Sequence, residues 1–211
     1  MNFYDKYCLP HLLNCCCGCK DIQGLRADII PDATGRVLEV GAGSGLNFPF
    51  YRADAVEKVW ALEPSDAMRS LAKKRYQQAT VDIEWLALPG EEIPLENDSM
   101  DSVVLTYTLC TIPDWYCALQ QIYRVLKPGG QLLFCEHGRS PENRVCRWQN
   151  RLNPLWKKLF GGCHLNRAIP DLISEGHLHI QTLKTQYMPF VPKPIGFTFM
   201  GSAVKKMHHH Y

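Results

Sequence analysis

The chain has 211 residues, 46% hydrophobic and 21% charged, with a formal net charge of +2. That length suits one sizeable core and is short for two domains. The near balance of charge argues against nucleic acid as the main partner, which draws on a strong basic excess. No apolar run reaches the roughly 18 residues of a spanning helix. The opening MNFYDKYCLPHLLN lacks the charged-then-apolar layout of a signal peptide, so a soluble, cytoplasmic protein is expected.

Residues 1–20 form a short amphipathic prelude. Phe3, Tyr4, Tyr7, Leu9, Leu12 and Leu13 share a helical face, and Gly18 is placed to end it. The expected role is a cover packed on the domain; a peripheral touch on a membrane stays open. Five of the ten cysteines crowd here, at Cys8, Cys15, Cys16, Cys17 and Cys19. Metal sites usually want paired ligands at C-x-x-C-like spacing with a second pair elsewhere. Three consecutive cysteines point in different directions, and Cys163 with His164 completes a site only on paper. No metal is expected, and the cysteines are read as reduced thiols packed as small hydrophobes.

Strands and helices then alternate. Arg36–Val40 reads as a first strand and Val56–Leu62 as a second, followed by a helix over Ser65–Gln78 with Ser65 at its N-cap and Ala67, Met68, Leu71 and Ala72 on its apolar face. Asp82–Leu86 is a third strand. Ser102–Thr106 is a fourth, apolar on both faces and therefore central. A helix starts at Pro113 and runs through Leu126 until Lys127-Pro128-Gly129-Gly130 turns the chain into a fifth strand, Gln131–Glu136. Residues 143–160 read as a helix with Trp148, Leu152, Leu155, Trp156 and Leu159 on one face, the two tryptophans expected in the core. A short helix over Ala168–Glu175 and closing strands over His177–Tyr187 and Phe197–Val204 complete the chain. The expected fold is α/β, a Rossmann-like, seven-stranded, mostly parallel sheet with helices on both faces, in one domain over 1–211. Residues 1–20 and 138–176 would cover it. The terminal His208, His209 and His210 look like a tail.

The first strand runs into Glu39-Val40-Gly41-Ala42-Gly43-Ser44-Gly45. In open parallel sheets ligands lie beyond the carboxyl ends of the strands. A dinucleotide loop wants G-x-G-x-x-G, whereas here the third glycine comes one place early, at Gly45. That favours a nucleoside–amino acid ligand over a pyrophosphate. Glu63 ends the second strand, where a carboxylate can accept hydrogen bonds from both ribose hydroxyls.

In this order, VLEVGAGSGLN, ALEPSDAM, PLENDSMDSVVLTYTLCTI and IYRVLKPGGQLLFCEH resemble the class I S-adenosylmethionine-dependent methyltransferases across residues 36–137. A longer likeness, through GSGLNFPFY, TLCTI, FCEHG, WQNRLNPLWKKLFGGCHLNR and GSAVK, is to the methyltransferase-like alkyl thiol methyltransferases and their bacterial relatives. The resemblance implies that Glu39, Gly41, Ala42, Gly43 and Asn47 surround the methionine part of S-adenosylmethionine, with Glu63 on the ribose and Pro64, Ser65 and Met68 beside the adenosine. Pro89, Gly90 and Glu91 would border the adenine, and Thr106, Tyr107 and Thr108 would lie under the reactive methyl. The reaction would leave S-adenosylhomocysteine.

His137, just after the fifth strand at the carboxyl edge, is the expected base or orienter for an in-line transfer. Tyr4, His11, His164, Asn166 and Arg167 are weaker expectations for touching the substrate. A small-molecule acceptor, a thiol first, is expected. C- or N-methylation of a quinone precursor or phospholipid headgroup is the alternative, and a non-catalytic S-adenosylmethionine-binding module is the alternative of another class.

Overall fold

A computed structural model describes residues 3–206, so the three terminal histidines lie outside the described residues. Seven strands form one sheet: β1 Gly35–Val40, β2 Val56–Leu62, β3 Ile83–Leu86, β4 Met100–Thr106, β5 Leu126–His137, β6 His179–Tyr187 and β7 Phe197–Val204. Their order is β3-β2-β1-β4-β5-β7-β6. The first five pair in parallel, and β7 runs antiparallel to both β5 and β6. The expected seven-stranded, mostly parallel architecture is therefore present, and so is the strand reversal between β1 and β4 where such sheets bind ligands.

β4 is central, as its sequence requires. Val103 and Leu105 face one core and Val104 the other, all fully buried, because successive side chains of a strand point to opposite faces. On the first face lie helices α4 (Trp115–Val125) and α6 (Ile169–Glu175), packed through Leu119, Ile122 and Ile173. On the second lie α2 (Lys20–Ile29) and α3 (Asp66–Gln77), packed through Leu25, Ile29 and Ala72. α1 (Leu9–Cys17) precedes them after a π-helical turn at Tyr4–Cys8, α5 (Asn143–Leu159) crosses the surface, and a short α7 (Lys193–Gly196) leads into β7. Caps follow local chemistry. Ser65 Oγ accepts from the Met68 amide, and Asp114 Oδ1 accepts from the Cys117 amide at 2.9 Å.

Several local expectations change. α2 was not foreseen, although Ile22, Leu25 and Ile29 carry a helical spacing; Gly24 and five charged or amide side chains mask it. The prelude is a π-turn and a nine-residue helix that Gly18 caps, with Leu9 buried but Phe3 and Tyr7 exposed. The ladder of β5 begins at Leu126, because Lys127–Gly130 stays in it as an irregularity opposite Met100 and Ser102.

The largest departure is α5. Most of its supposed core stripe faces outward, Trp148 48% exposed and Leu155 59%, while Trp156 is half-buried on the wall of a cavity. The side it buries carries Val145 and Gln149 instead, and the Gln149 amide is bonded to the Ser140 amide and the Gly138 carbonyl at 2.9 Å each. Trp148 lies under the Arg151 guanidinium, 5.5 Å away. Among the described residues no helix is long and apolar enough to cross a membrane.

The β5-β7-β6 end depends on one small residue. A Cβ on Gly201 would come within 2.0 Å of the Thr182 carbonyl, where β6 shifts register, and within 3.1 Å of the Phe134 ring. Gly201→Ala should destabilise the fold by about 1–3 kcal/mol, the usual cost of overpacking. Urea unfolding measures it, and an unchanged midpoint would contradict this packing.

Candidate active site

A cavity of about 710 Å³ opens along the carboxyl ends of β1, β2, β4 and β5. Its wall includes the glycine turn after β1, Glu63 at the end of β2, Met68 on α3, the Thr106-Tyr107-Thr108 exit of β4, and His137. The N-terminal helices, the end of α5 and the turn after it complete it through Leu9, Arg26, Trp156 and Cys163.

The glycine turn can approach a ligand closely because its backbone takes a form that side chains resist. Gly41 has φ 71°, and a Cβ there would lie 2.3 Å from Thr108. Glu63 is fixed by its own loop: Oε2 accepts from the Gly43 amide and Oε1 from the Ser65 amide, both at 2.9 Å. Each oxygen keeps a further acceptor position. Burial raises the Glu63 pKa, and the two amides restrain that rise.

Behind the turn lies a buried polar network. Glu39 accepts from Asn47 Nδ2 at 2.9 Å and from the Tyr51 hydroxyl at 2.7 Å. Thr106 Oγ1 accepts from Asn47 at 3.0 Å and from Arg26 at 2.7 Å, and Arg26 also donates to Asn47 Oδ1. Burial pushes the Glu39 pKa up to about 7, against the hydrogen bonds and the Arg26 charge. Arg26 is itself buried, lines the cavity, and has an Nε without a partner among the described residues.

A second buried carboxylate, Glu136, fixes the loop after β4. It accepts from the amides of Thr108 (2.7 Å), Leu109 (2.9 Å) and Cys110 (3.2 Å). Tyr107, at the start of this loop, is held at φ 55°, a conformation that bulky residues rarely adopt. Arg167 donates to the Leu109 and Ile112 carbonyls, and the His164 amide donates to the Cys110 carbonyl at 2.8 Å. The turn after α5 is thereby zipped to the loop after β4. The zip brings Cys163 Sγ to 3.6 Å from Cys110 Sγ and 2.8 Å from His137 Nε2. The hydrogen bond from Cys110, together with His137, holds the Cys163 thiol well below its usual range, and Cys110 is pushed up in return. Burial works against a charged His137, but the Cys163 charge outweighs it and raises the imidazole pKa.

The structure brings together many of the residues singled out in the sequence. Gly41, Ala42, Gly43, Glu63, Ser65, Met68, Thr106, Tyr107, Thr108 and His137 all line the cavity. Glu39 and Asn47 stand one layer behind it. Gly90 packs against Val40 and Ile112 outside the lining, and Glu91 is tied to the start of α4 through the Asp114 amide. Tyr4 donates to the Leu159 carbonyl, His11 is exposed, and Asn166 bonds Asn150. None of these three lines the cavity, and neither do His164 and Arg167, whose described contacts serve the zip. Of the cysteine cluster, Cys8, Cys15, Cys16 and Cys19 are exposed rather than packed as small hydrophobes, and Cys17 is half-buried on the cavity wall. Arg26, Glu136 and the Cys110–Cys163 pair were missed. Arg26 sits on the unforeseen helix, and the two cysteines are far apart in the chain.

A methyltransferase domain family matches residues 38–134. Solved structures with the same fold include a putative methyltransferase from Bacillus halodurans (TM-score 0.69, 16% identity, covering 87% of this chain and 98% of that one). Another is a putative methyltransferase of Haloferax volcanii in complex with its Trm112 activator (TM-score 0.69, 17% identity, 99% and 98%). These define the architecture as that of class I methyltransferases. The rat thiol S-methyltransferase TMT1B is 35% identical over 193 residues, 88% of this chain and 75% of that protein, and the human TMT1B is 36% identical over 82% and 72%. The chain belongs to this family and is an S-adenosylmethionine-dependent methyltransferase. A demethylmenaquinone methyltransferase of Clavibacter sepedonicus is a more distant relative, 28% identical over 56% of this chain and 48% of that protein.

The Glu39 network gives stability a pH signature. With its pKa raised from 4.5 to about 7, folded Glu39 keeps a proton that the unfolded chain has lost. Its contribution is full below pH 4.5 and disappears as pH rises through 7. Glu39→Gln should therefore flatten the fall in unfolding free energy across that window, by at most about 3 kcal/mol. Parallel denaturation series at stepped pH test this; equal slopes in both proteins would refute it.

Proposed function

We propose that the enzyme methylates the sulfur of a small thiol by direct transfer, with the acceptor seated at the Cys110–His137–Cys163 end of the cavity. The observation that carries this reading is that one continuous cavity joins the glycine turn and Glu63 to that sulfur-rich wall. The more similar of the named relatives, rat and human TMT1B, are thiol S-methyltransferases, which supports the same acceptor class.

The donor half fits S-adenosylmethionine. Glu63 has acceptor positions left for two ribose hydroxyls, and a Cβ on Gly43 would take up space at 3.2 Å from the Met68 methyl. Gly41, Ala42 and Gly43 would face the methionine part of the donor. Arg26, with an unpartnered buried Nε, would answer its carboxylate. Glu39 and Asn47 hold Arg26 and Thr106 in place from behind. Met68 and Ser65 would flank the adenosine, while Pro64, Pro89, Gly90 and Glu91, expected there too, stand off the cavity wall. S-adenosylmethionine supplies a methyl group on a positively charged sulfur, already activated for transfer.

The protein's task is then to place a nucleophile in line and keep water out. Thr106, Tyr107 and Thr108, locked by Glu136 and Arg26, form a rigid floor. Leu9, Leu13, Trp156 and Phe160 give the acceptor end an apolar wall suited to a small organic thiol. His137, at the same end of the cavity, would orient that thiol.

Two outcomes follow. Glu63→Ala should weaken binding of S-adenosylhomocysteine by about 1.5–3 kcal/mol, the range for a hydrogen bond to a charged group; unchanged affinity in calorimetry would remove Glu63 from the ribose. In a panel of thiols, catechols, quinone precursors and phosphatidylethanolamine, turnover to S-adenosylhomocysteine should appear with thiols alone. Methylation of a quinol carbon or lipid amine, with none on thiols, would overturn the acceptor assignment.

A further inference from the structure

Cys110, His137 and Cys163 are all buried, and their ligand atoms lie within 4.8 Å of one another. Three separate segments deliver them: the loop after β4, the end of β5 and the turn after α5. Each is fixed from outside the trio. Glu136 holds the Cys110 amide, the His164 amide holds the Cys110 carbonyl, and His137 still pairs with Thr198 in the sheet. Cysteines that merely fill a core pack against apolar groups. These two face each other and an imidazole, at the wall of a cavity.

We propose that Cys110, His137 and Cys163 form a binding site for a soft divalent cation, zinc first, whose fourth position opens into the cavity and takes a thiolate sulfur. The proposal deepens the thiol reading above and rests on it for the occupant of that fourth position.

The geometry suits a tetrahedral ion. Metal–sulfur bonds of about 2.3 Å and metal–nitrogen bonds of about 2.0 Å place two sulfurs roughly 3.8 Å apart, and sulfur and nitrogen roughly 3.5 Å apart. The two sulfurs already stand 3.6 Å apart, whereas His137 Nε2 is 2.8 Å from Cys163. An opening of less than about 1 Å at Cys163 brings its pair with His137 to the required spacing, and Gly161 and Gly162 lead directly into that residue, while Cys110 and His137 already lie within 4.8 Å of each other. Two thiolates and an imidazole select soft or borderline metals over magnesium or calcium. Closed structural zinc sites use four protein ligands, whereas sites that work on a bound molecule use three and leave one position open. Among the described residues only three gather here.

The chemistry balances. An incoming thiol loses its proton to solvent as its sulfur takes the fourth position. That sulfur's electron pair then forms the new bond to the methyl carbon. The bond from the methyl to the sulfonium breaks, and its pair stays on the donor sulfur. The thioether product is a neutral, weak ligand and leaves the metal.

The test starts with full-length protein, reduced with a phosphine, stripped by a chelator and titrated with cobalt(II) as a zinc surrogate. A single equivalent should give thiolate-to-cobalt charge transfer and the visible bands of a tetrahedral site, and zinc should displace it. Cys110→Ser and Cys163→Ser, checked for folding by circular dichroism, should each weaken binding by more than the roughly 10–100-fold that loss of an outer-shell partner costs. Replacing Cys8 and Cys15, which do not line the cavity, together by serine should leave it intact. Adding a small thiol should shift the charge-transfer band, which reports the open position without any turnover. In unaltered protein, zinc should protect Cys110 and Cys163 from iodoacetamide while Cys8 and Cys15 still react. No binding below millimolar cobalt, bands that follow the N-terminal cysteines, or no protection of Cys110 and Cys163 would overturn the site. A band unmoved by thiol would overturn its open position. Turnover on thiols by metal-free enzyme would leave the acceptor reading standing and remove the metal from it, whereas metal binding without turnover on thiols would do the reverse.

Discussion

The Glu136 carboxylate holds the active-site wall together. It is fully buried, and it accepts from three successive backbone amides just past β4. A buried carboxylate survives only when donors replace the water it has lost. Here those donors belong to the loop that carries Thr108 and Cys110. The same strand end presents His137, one residue further on, so the acid that shapes the floor also fixes the imidazole's position. Arg167 and the His164 amide then tie the turn after α5 to that floor, which is how Cys163 arrives opposite Cys110. Loss of Glu136 would free all three segments at once.

The two ends of the cavity are built differently. The glycine-turn end is local: Gly41, Gly43, Glu63 and Met68 come from two adjacent strand–turn units, and their geometry is set by short-range hydrogen bonds such as Gly43 to Glu63. The Cys110–Cys163 end is assembled from segments distant in sequence, held by contacts between loops and by the N-terminal helices. A fold can keep the first while varying the second, because the sheet does not depend on the covers.

The same division governed what could be read from the sequence. Strand positions and the central place of β4 followed from buried apolar runs and turn residues, and β2 and β7 were placed to the residue. The glycine turn and Glu63 were legible because their spacing is short and stereotyped. Arg26 was not, since Gly24 and polar neighbours hide its helix. Glu136 reads only as the polar end of an apolar strand; its three amide partners exist through the parallel pairing with β4. The meeting of Cys110 and Cys163 was invisible for the same reason. The face of α5 misled because helical periodicity reveals amphipathicity and not which side is buried. Val145 and Gln149 take the inner side, and the Gln149 amide finds backbone partners there.

The sheet also ends deliberately on both sides. β3 is only four residues long, and β6 presents Gln181, Thr182, Lys184, Thr185 and Gln186 to solvent. Short or polar, lysine-bearing margins make poor templates for a further strand. Edge-to-edge addition of strands to the native molecule is therefore disfavoured at either margin, even though the nine-residue β6 would otherwise offer a hydrogen-bonding rail for another chain.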